Sequence, residues 1–352
     1  MKRLLATAAL TGVLAAGWGL SAVKVEAWGA SGHRLVAVAA MQALPDDLPA
    51  FLKSPGAVAD VAEFAREPDR WKGAGRAHDR ERDTGHFIDL TDEGRAMTDA
   101  GPALAELPTL RSEYEAVLTR AGIDVDDAGW LPYAIVDASQ QLERDFSYWR
   151  VLTAAARRET DPAKKAWYLD DLRRREALLL RDIGVLAHYV GDGSQPLHTS
   201  IHYNGWGEYP NPEGFTNSRQ THGLFEGQLT RRASDLQAVR EAMSAAAPCG
   251  CPVDQRTKAY LARTVALTLP LYRLEKAGAF AAGADAAGNV PVDPRARAFI
   301  VERLGAGASE LRDLIVDAWG QSGRARVGWP AVAVVDVEAG TVDPWLSMIS
   351  ED

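Results

Sequence analysis

Apolar residues recur every three to four positions along most of the chain, and alternating strand-like runs are scarce. That spacing predicts a mainly α-helical protein. The expected helices cover 32–43, 47–53, 56–64, 104–120, 133–158, 164–190, 221–246, 255–277 and 294–319. Asp161-Pro162 supplies a start signal for the long helix at 164, and Gly191 stands where that helix is expected to end. The charged run from Arg76 to Asp83 reads as a solvated loop. Gly, Pro, Asn and aromatic residues gather between 199 and 219, and the apolar bulk of Trp206, Tyr209 and Phe215 marks an ordered loop rather than a linker. No repeat and no domain boundary precedes about residue 322. One domain over 28–321 with a short tail, 322–352, is therefore expected.

The first residues change the picture. Lys2 and Arg3 precede an apolar stretch from Leu4 to Leu20 that Gly12, Gly17 and Gly19 interrupt, and Val25-Glu26-Ala27 forms a small-residue exit. This is the pattern of a cleavable secretory signal over 1–27, not of a membrane span, and it predicts a secreted or periplasmic protein. Cleavage after Ala27 leaves Trp28 with a free α-amine, whose nitrogen can chelate a metal ion together with the Trp28 carbonyl while His33 adds a ligand from the side. The formal net charge is −9 over the whole chain. A broad electrostatic grip on a nucleic-acid backbone needs a basic stripe and is excluded, so a phosphate substrate has to be held locally, by metal ions. Only Cys249 and Cys251 are present, which rules out a disulfide framework and leaves open whether the two bridge each other.

The histidines carry the candidate chemistry. His188 and Asp192 are four apart at the end of a helix, hence on one face. Pro196 stops that helix from continuing, so the chain turns and His198 can come back to the same centre. His222 and Glu226 repeat the four-residue spacing, and Asp69 and His86 lie upstream. One His and acid pair on a helix is ordinarily a solvated ion pair or a capped core histidine. Five histidines, three carboxylates and a free N-terminus together form a nitrogen and oxygen donor set that suits zinc.

This ordered pattern, from Trp28 and His33 through Asp69, His86, His188-x3-Asp192-x5-His198 and His222-x3-Glu226, resembles the superfamily of zinc-dependent phospholipase C and the trinuclear-zinc, single-strand-specific nucleases of the S-one/P-one type. The resemblance spans most of the chain and implies an all-α domain with a three-zinc cleft. It implies a first zinc site of Asp69, His86, His188 and Asp192, a second of His198, His222 and Glu226, and a third of the Trp28 amine and carbonyl with His33 and Asp192. Asp60 rivals Asp69 on spacing. Asp69 would also steer or deprotonate the attacking water, as its counterpart in the family is thought to do.

Two substrate classes follow. Trp-Gly-x-x-Gly-His at 28–33 and the last long helix resemble the nucleases, which favours single-stranded DNA, RNA or nucleotides acted on by a monomer. Glu226, which stands where the nucleases carry Asp, and Asn204-Gly-Trp206 pull towards the phospholipases and a phospholipid substrate. Phe87, Trp206, Tyr209 and Phe215 are candidate base-stacking platforms, with core packing the alternative for each. Lys72 is a candidate phosphate contact or a plain surface lysine, and His78 and His202 fall outside the ligand pattern. A third alternative is a metal-binding protein without catalysis.

Overall fold

The computed structural model describes residues 28–281 and 292–349, so the leader expected over 1–27 lies outside the described residues. The chain is mainly helical, as the apolar spacing implies. In order come α1 (Gly29–Gln42), α2 (Pro55–Phe64), the short α3 (Glu67–Arg70) and α4 (Arg76–Arg82), then α5 (Arg111–Arg120), α6 (Val125–Ala128) and the long α7 (Leu131–Arg158) and α8 (Pro162–Ser194). After the 199–219 loop follow α9 (Thr221–Gly223), a π-helical stretch (Leu224–Leu229), α10 (Thr230–Ala233), α11 (Leu236–Glu241), α12 (Val253–Val265), α13 (Thr268–Lys276) and α14 (Pro294–Ser322). A two-stranded hairpin of β1 (Arg326–Val327) and β2 (Val332–Ala333), with Arg326 opposite Ala333, leads into α15 (Val334–Ala339) and α16 (Trp345–Ile349).

Helices α7 and α8 pack along each other, and α1, α2 and α14 lie against them. The core they enclose includes Val36, Leu142, Phe146, Ile183, Leu186, Leu304 and Leu311, all fully buried. Each such side chain contributes about 2 kcal/mol by leaving water. The tail beyond 322 docks Val327, Val334 and Val337 on Val151 of α7. No helix among the described residues is long and apolar enough to cross a membrane.

Several expected boundaries are corrected. The 104–120 helix breaks because Pro108 cannot donate a backbone bond, leaving a 3-10 turn at Leu104–Glu106 before α5. The 255–277 helix breaks before α13, where Pro270 clashes with continuation from α12. The 221–246 helix is cut at Ser234, where the Asp235 side chain caps a new start by accepting from the Ala238 amide. The 47–53 helix shrinks to the 3-10 turn Ala50–Lys53, and α1 begins before the expected Gly32. The run from Arg76, expected as a loop, forms α4.

The most consequential correction is at Gly191. The long helix runs through it to Ser194, and Asp161 caps its start by accepting from the Ala163 and Lys164 amides. Gly191 and Gly193 serve packing rather than termination. A Cβ on Gly191 would lie 2.8 Å from His33 Nδ1, and one on Gly193 2.8 Å from the Tyr260 ring. The glycines let α1 and α12 close on the end of α8, which carries His188 and Asp192.

Candidate metal centre

Several segments that reach this end of α8 contribute a ligand-type side chain. The last turns of α8 project His188 and Asp192 on one face. Pro196 then forces a 3-10 turn, Pro196–His198, that returns His198 to the same place. Helix α1 brings His33, α3 brings Asp69, and the turn Asp83–His86 brings His86. His222 and Glu226 come from α9 and the π-helical stretch. All are buried except Asp69, whose side chain keeps 11 % of its exposure at the rim. The rival Asp60 is exposed on α2.

These side chains form two adjoining clusters of donor atoms. In the first, His86 Nδ1 lies 3.1 Å and His188 Nε2 3.3 Å from Asp192 Oδ2, and the two nitrogens are 2.9 Å apart. Asp69 Oδ1 is 3.9 Å from each of those nitrogens, and His33 Nε2 lies 3.5 Å from Asp192 Oδ1. In the second, Glu226 Oε2 lies 2.8 Å from His222 Nε2 and 3.3 Å from His198 Nε2. Asp192 Oδ1 comes within 3.8 Å of His198, joining the two clusters. The Trp28 backbone nitrogen donates to Glu226 Oε2 at 3.1 Å, and its carbonyl accepts from the Gly32 amide. The Trp28 indole N–H is anchored on the Gly191 carbonyl at 2.7 Å.

The tautomers follow from what lies behind each ring. His188 Nδ1 donates to the Ala65 carbonyl, His198 Nδ1 to the His86 carbonyl and His222 Nδ1 to the Tyr203 carbonyl, at 2.8, 2.7 and 3.0 Å. A carbonyl cannot donate, so each Nδ1 carries the proton and each Nε2 turns a lone pair inward. His198 and His222 then face each other with lone pairs 3.1 Å apart beside a carboxylate. His33, fully buried and stacked on His188 at 3.9 Å, has neither ring nitrogen hydrogen-bonded among the described residues. Asp192 Oδ1 and Glu226 Oε1 lack partners in the same way. Unpaired buried acceptors are costly in a closed protein. Their place here is compatible with a metal ion, because each belongs to a trio within metal-binding distance: His33 with Asp69 and His188, Asp192 with His86 and His188, and Glu226 with His198 and His222.

Electrostatics agree. Burial holds the His33, His86 and His188 imidazoles well below their ordinary range, so all three are neutral and able to ligate. Burial pushes the Asp192 carboxyl well up, against the pull of His198. Burial raises the Glu226 carboxyl, and His222 and His198 outweigh that and bring it to about 2, a pull the two rings exert only when protonated and that a bound cation would exert in their place.

A cleft of about 690 Å³ opens over the centre, walled by Lys72, Asp83, Phe87, Asp89, Asp127 and Tyr203 among others. Lys72 is partly buried and bonded to Asp69 at 2.7 Å, so it is not a free surface lysine. Of the four candidate platforms only Phe87 lines this cleft; Trp206 and Phe215 are core, and Tyr209 packs edge-on against His202. His202 stacks on Trp206 and bonds its carbonyl, and half-exposed His78 pairs with Asp79, so neither joins the centre.

Asp89 was not among the sequence candidates. It is buried, its Oδ1 lacks a partner among the described residues, and burial followed by the neighbouring Asp127 pushes its carboxyl well up. The signal was present in His86-Phe-Ile-Asp89. The backbone at Phe87 is extended, so Phe87 and Asp89 share one face while Ile88 turns into the core. Cys249 and Cys251, left open above, are joined by a disulfide.

No protein-family model matches the chain, and no curated protein matches it either. What the molecule itself defines is a mainly helical protein with a buried histidine and carboxylate centre of metal-ligand composition beneath an open cleft.

Proposed function

We propose that this protein is a secreted zinc-dependent phosphodiesterase that hydrolyses single-stranded DNA or RNA. The observation that carries the proposal is the pair of adjoining donor clusters, with inward lone pairs and unpaired carboxylate oxygens, at the floor of a cleft large enough for a nucleotide. Imidazole and carboxylate donors without thiolate suit zinc. Asp69, His86, His188 and Asp192 would hold one ion, His198, His222 and Glu226 a second, and Trp28 and His33 with Asp192 a third. Bound there, the ions supply Lewis acidity at neutral pH.

The remaining roles belong to the chain. Asp69, at the rim, accepts the proton of the attacking water at its carboxylate, and the bonded Lys72 ammonium holds that carboxylate in place. Phe87 offers a ring face to a base. Asp89, whose carboxyl burial pushes well up, lines the same cleft and offers a polar group to the edge of that base. A lipid head group has no such edge to read, which favours nucleic acid over the phospholipid alternative, although Glu226 is shared in type with the phospholipases.

The test is elemental analysis of protein beginning at Trp28, alongside hydrolysis of single-stranded DNA, RNA and phosphatidylcholine under identical zinc conditions. Three zinc ions with nucleic-acid cleavage is the expected result. Cleavage of lipid alone would replace the substrate class, and a protein that takes up no metal would overturn the proposal.

A further inference from the structure

A second cleft, of about 640 Å³, lies behind the wall that carries His86, and nothing in the proposed chemistry uses it. It shares that wall with the metal centre: Tyr189 lines the second cleft, and its ring centre is 5.6 Å from that of His86. Trp71 lines it too, and the next residue in the chain, Lys72, lines the first cleft. Trp71 and Lys72 thus carry the chain from the wall of one cleft to the wall of the other.

The guanidinium groups of Arg82 and Arg181 lie 5.3 and 5.8 Å from the Trp71 ring centre. Both arginines are exposed, and both also line a smaller cleft of about 290 Å³ that shares Trp71 with the second cleft. A guanidinium seated on an indole is held in place while its N–H edge remains able to bind a phosphate in two-point fashion. Arg111 plays no such part. It sits 3.5 Å over Trp130 and is bonded to Glu81 and Glu115. Asp182 beside Arg181 partly offsets its charge, but burial and the Asp145 carboxylate push Asp182 up to about 7, which weakens that offset.

We propose that Trp71, Arg82 and Arg181 form a subsite for the phosphodiester of a nucleotide flanking the one held at the metal centre, so that the protein grips a strand rather than a single linkage. The inference rests on the phosphodiesterase proposal above. Its ligand is a phosphate-bearing single strand; the cleft exceeds the size of a lone phosphate and falls in the range of nucleotide-sized pockets. It resolves a difficulty of the charge balance, because a chain of net charge −9 still needs local cations to hold a polyanion.

The test is the double substitution Arg82→Ala with Arg181→Ala, both at exposed positions where folding is little affected, checked by circular dichroism. The first measurement is fluorescence anisotropy of a labelled eight-nucleotide single strand with the full protein in chelator, as a function of salt. The double variant is expected to bind about tenfold more weakly, with the slope of log K against log salt reduced by about 1.4 for two lost phosphate contacts. The second compares hydrolysis of that octamer with hydrolysis of a dinucleoside monophosphate in zinc. The loss in kcat/KM on the octamer should exceed the loss on the dinucleotide about tenfold and lie in KM. Equal anisotropy curves for wild type and variant, or equal losses on both substrates, would overturn the subsite. A wild-type protein that cleaves neither substrate would sink the phosphodiesterase proposal while the anisotropy comparison still decides the subsite.

Discussion

Asp192 is the residue on which the most contacts of the centre converge. One oxygen faces His86 and His188, and the other faces His33 and His198 while lacking any hydrogen-bond partner among the described residues. Asn at this position keeps the shape, loses the charge and offers one acceptor oxygen in place of two. Asp192→Asn is expected to lower zinc content on elemental analysis and to reduce hydrolysis roughly a thousandfold, the effect of removing several kcal/mol of metal-derived stabilisation. Full metal content in that variant would remove Asp192 from the centre. Asp89→Leu probes a different role at the same scale. It should leave zinc content intact and raise KM for single-stranded DNA about tenfold, the cost of losing a hydrogen-bonding group that reads the base. An unchanged KM would leave Asp89 without a part in recognition. His78→Ala, half-exposed and paired only with Asp79, should change neither zinc content nor rate.

Elements explain why some of this was legible and some was not. His188-x3-Asp192 and His222-x3-Glu226 could be read from the sequence because four residues make one helical turn, and that holds locally wherever the helix sits. The end of α8 could not be read from the same rule. Gly191 looks like a terminator, and only the approach of His33 on α1 shows that its missing Cβ makes room for a neighbour. The choice of Asp69 over Asp60 likewise depends on α3, a helix too short to leave a periodic trace. Gly184 shows the same principle, because a Cβ there would lie 2.4 Å from the Phe64 Cβ and 3.0 Å from the Ala65 amide. That closeness is what brings the Ala65 carbonyl to His188 Nδ1. Gly184→Ala should therefore cost about 1–3 kcal/mol in urea denaturation and also weaken zinc binding, roughly tenfold or more, by displacing the carbonyl behind a ligand. Lost stability with undiminished zinc affinity would mean that the carbonyl does not tune the centre. A second element-level feature joins α7 to α8. Burial and the nearby Asp145 carboxylate raise Asp182 to about 7 from an ordinary 3.8. The folded chain then keeps a proton that the unfolded chain has released, so stability falls as pH rises from about 4 to 7. Asp182→Asn should flatten that part of the pH–stability curve by on the order of 2 kcal/mol, and parallel curves for variant and wild type would contradict the pairing.

For the whole molecule, the centre joins parts of the chain that are far apart in sequence: α1, α3, the 83–86 turn, the end of α8 and the segment carrying His222 and Glu226. Without a cation those parts meet through the His198 and His222 lone pairs 3.1 Å apart, through a His33 ring with neither nitrogen bonded and through carboxylate oxygens without partners among the described residues. Folding alone has not satisfied this region, so a ligand that binds only the folded chain should stabilise all of it at once. At a free zinc concentration a thousandfold above the dissociation constant, one site contributes about 4 kcal/mol. For a domain of this size that corresponds to a rise of roughly 6 °C in Tm. Chelation should reverse it, and pH should sharpen the contrast. His33, His86 and His188 are held below their ordinary 6.5 by burial, so the unfolded chain takes up protons that the folded chain refuses. Their contribution is present above about 6.5 and is lost as pH falls below it, while the raised carboxyls of Asp192, Asp89 and Asp182 act in the opposite direction. Thermal unfolding at pH 7.5 and 5.5, each with zinc and with chelator, should show a larger zinc-induced rise in Tm at 7.5, because the raised Asp192 carboxyl must release its proton to bind the ion. Identical melting with zinc and with chelator at pH 7.5 would mean that internal protons satisfy the facing nitrogens, and the proposed metal centre would fall with that result.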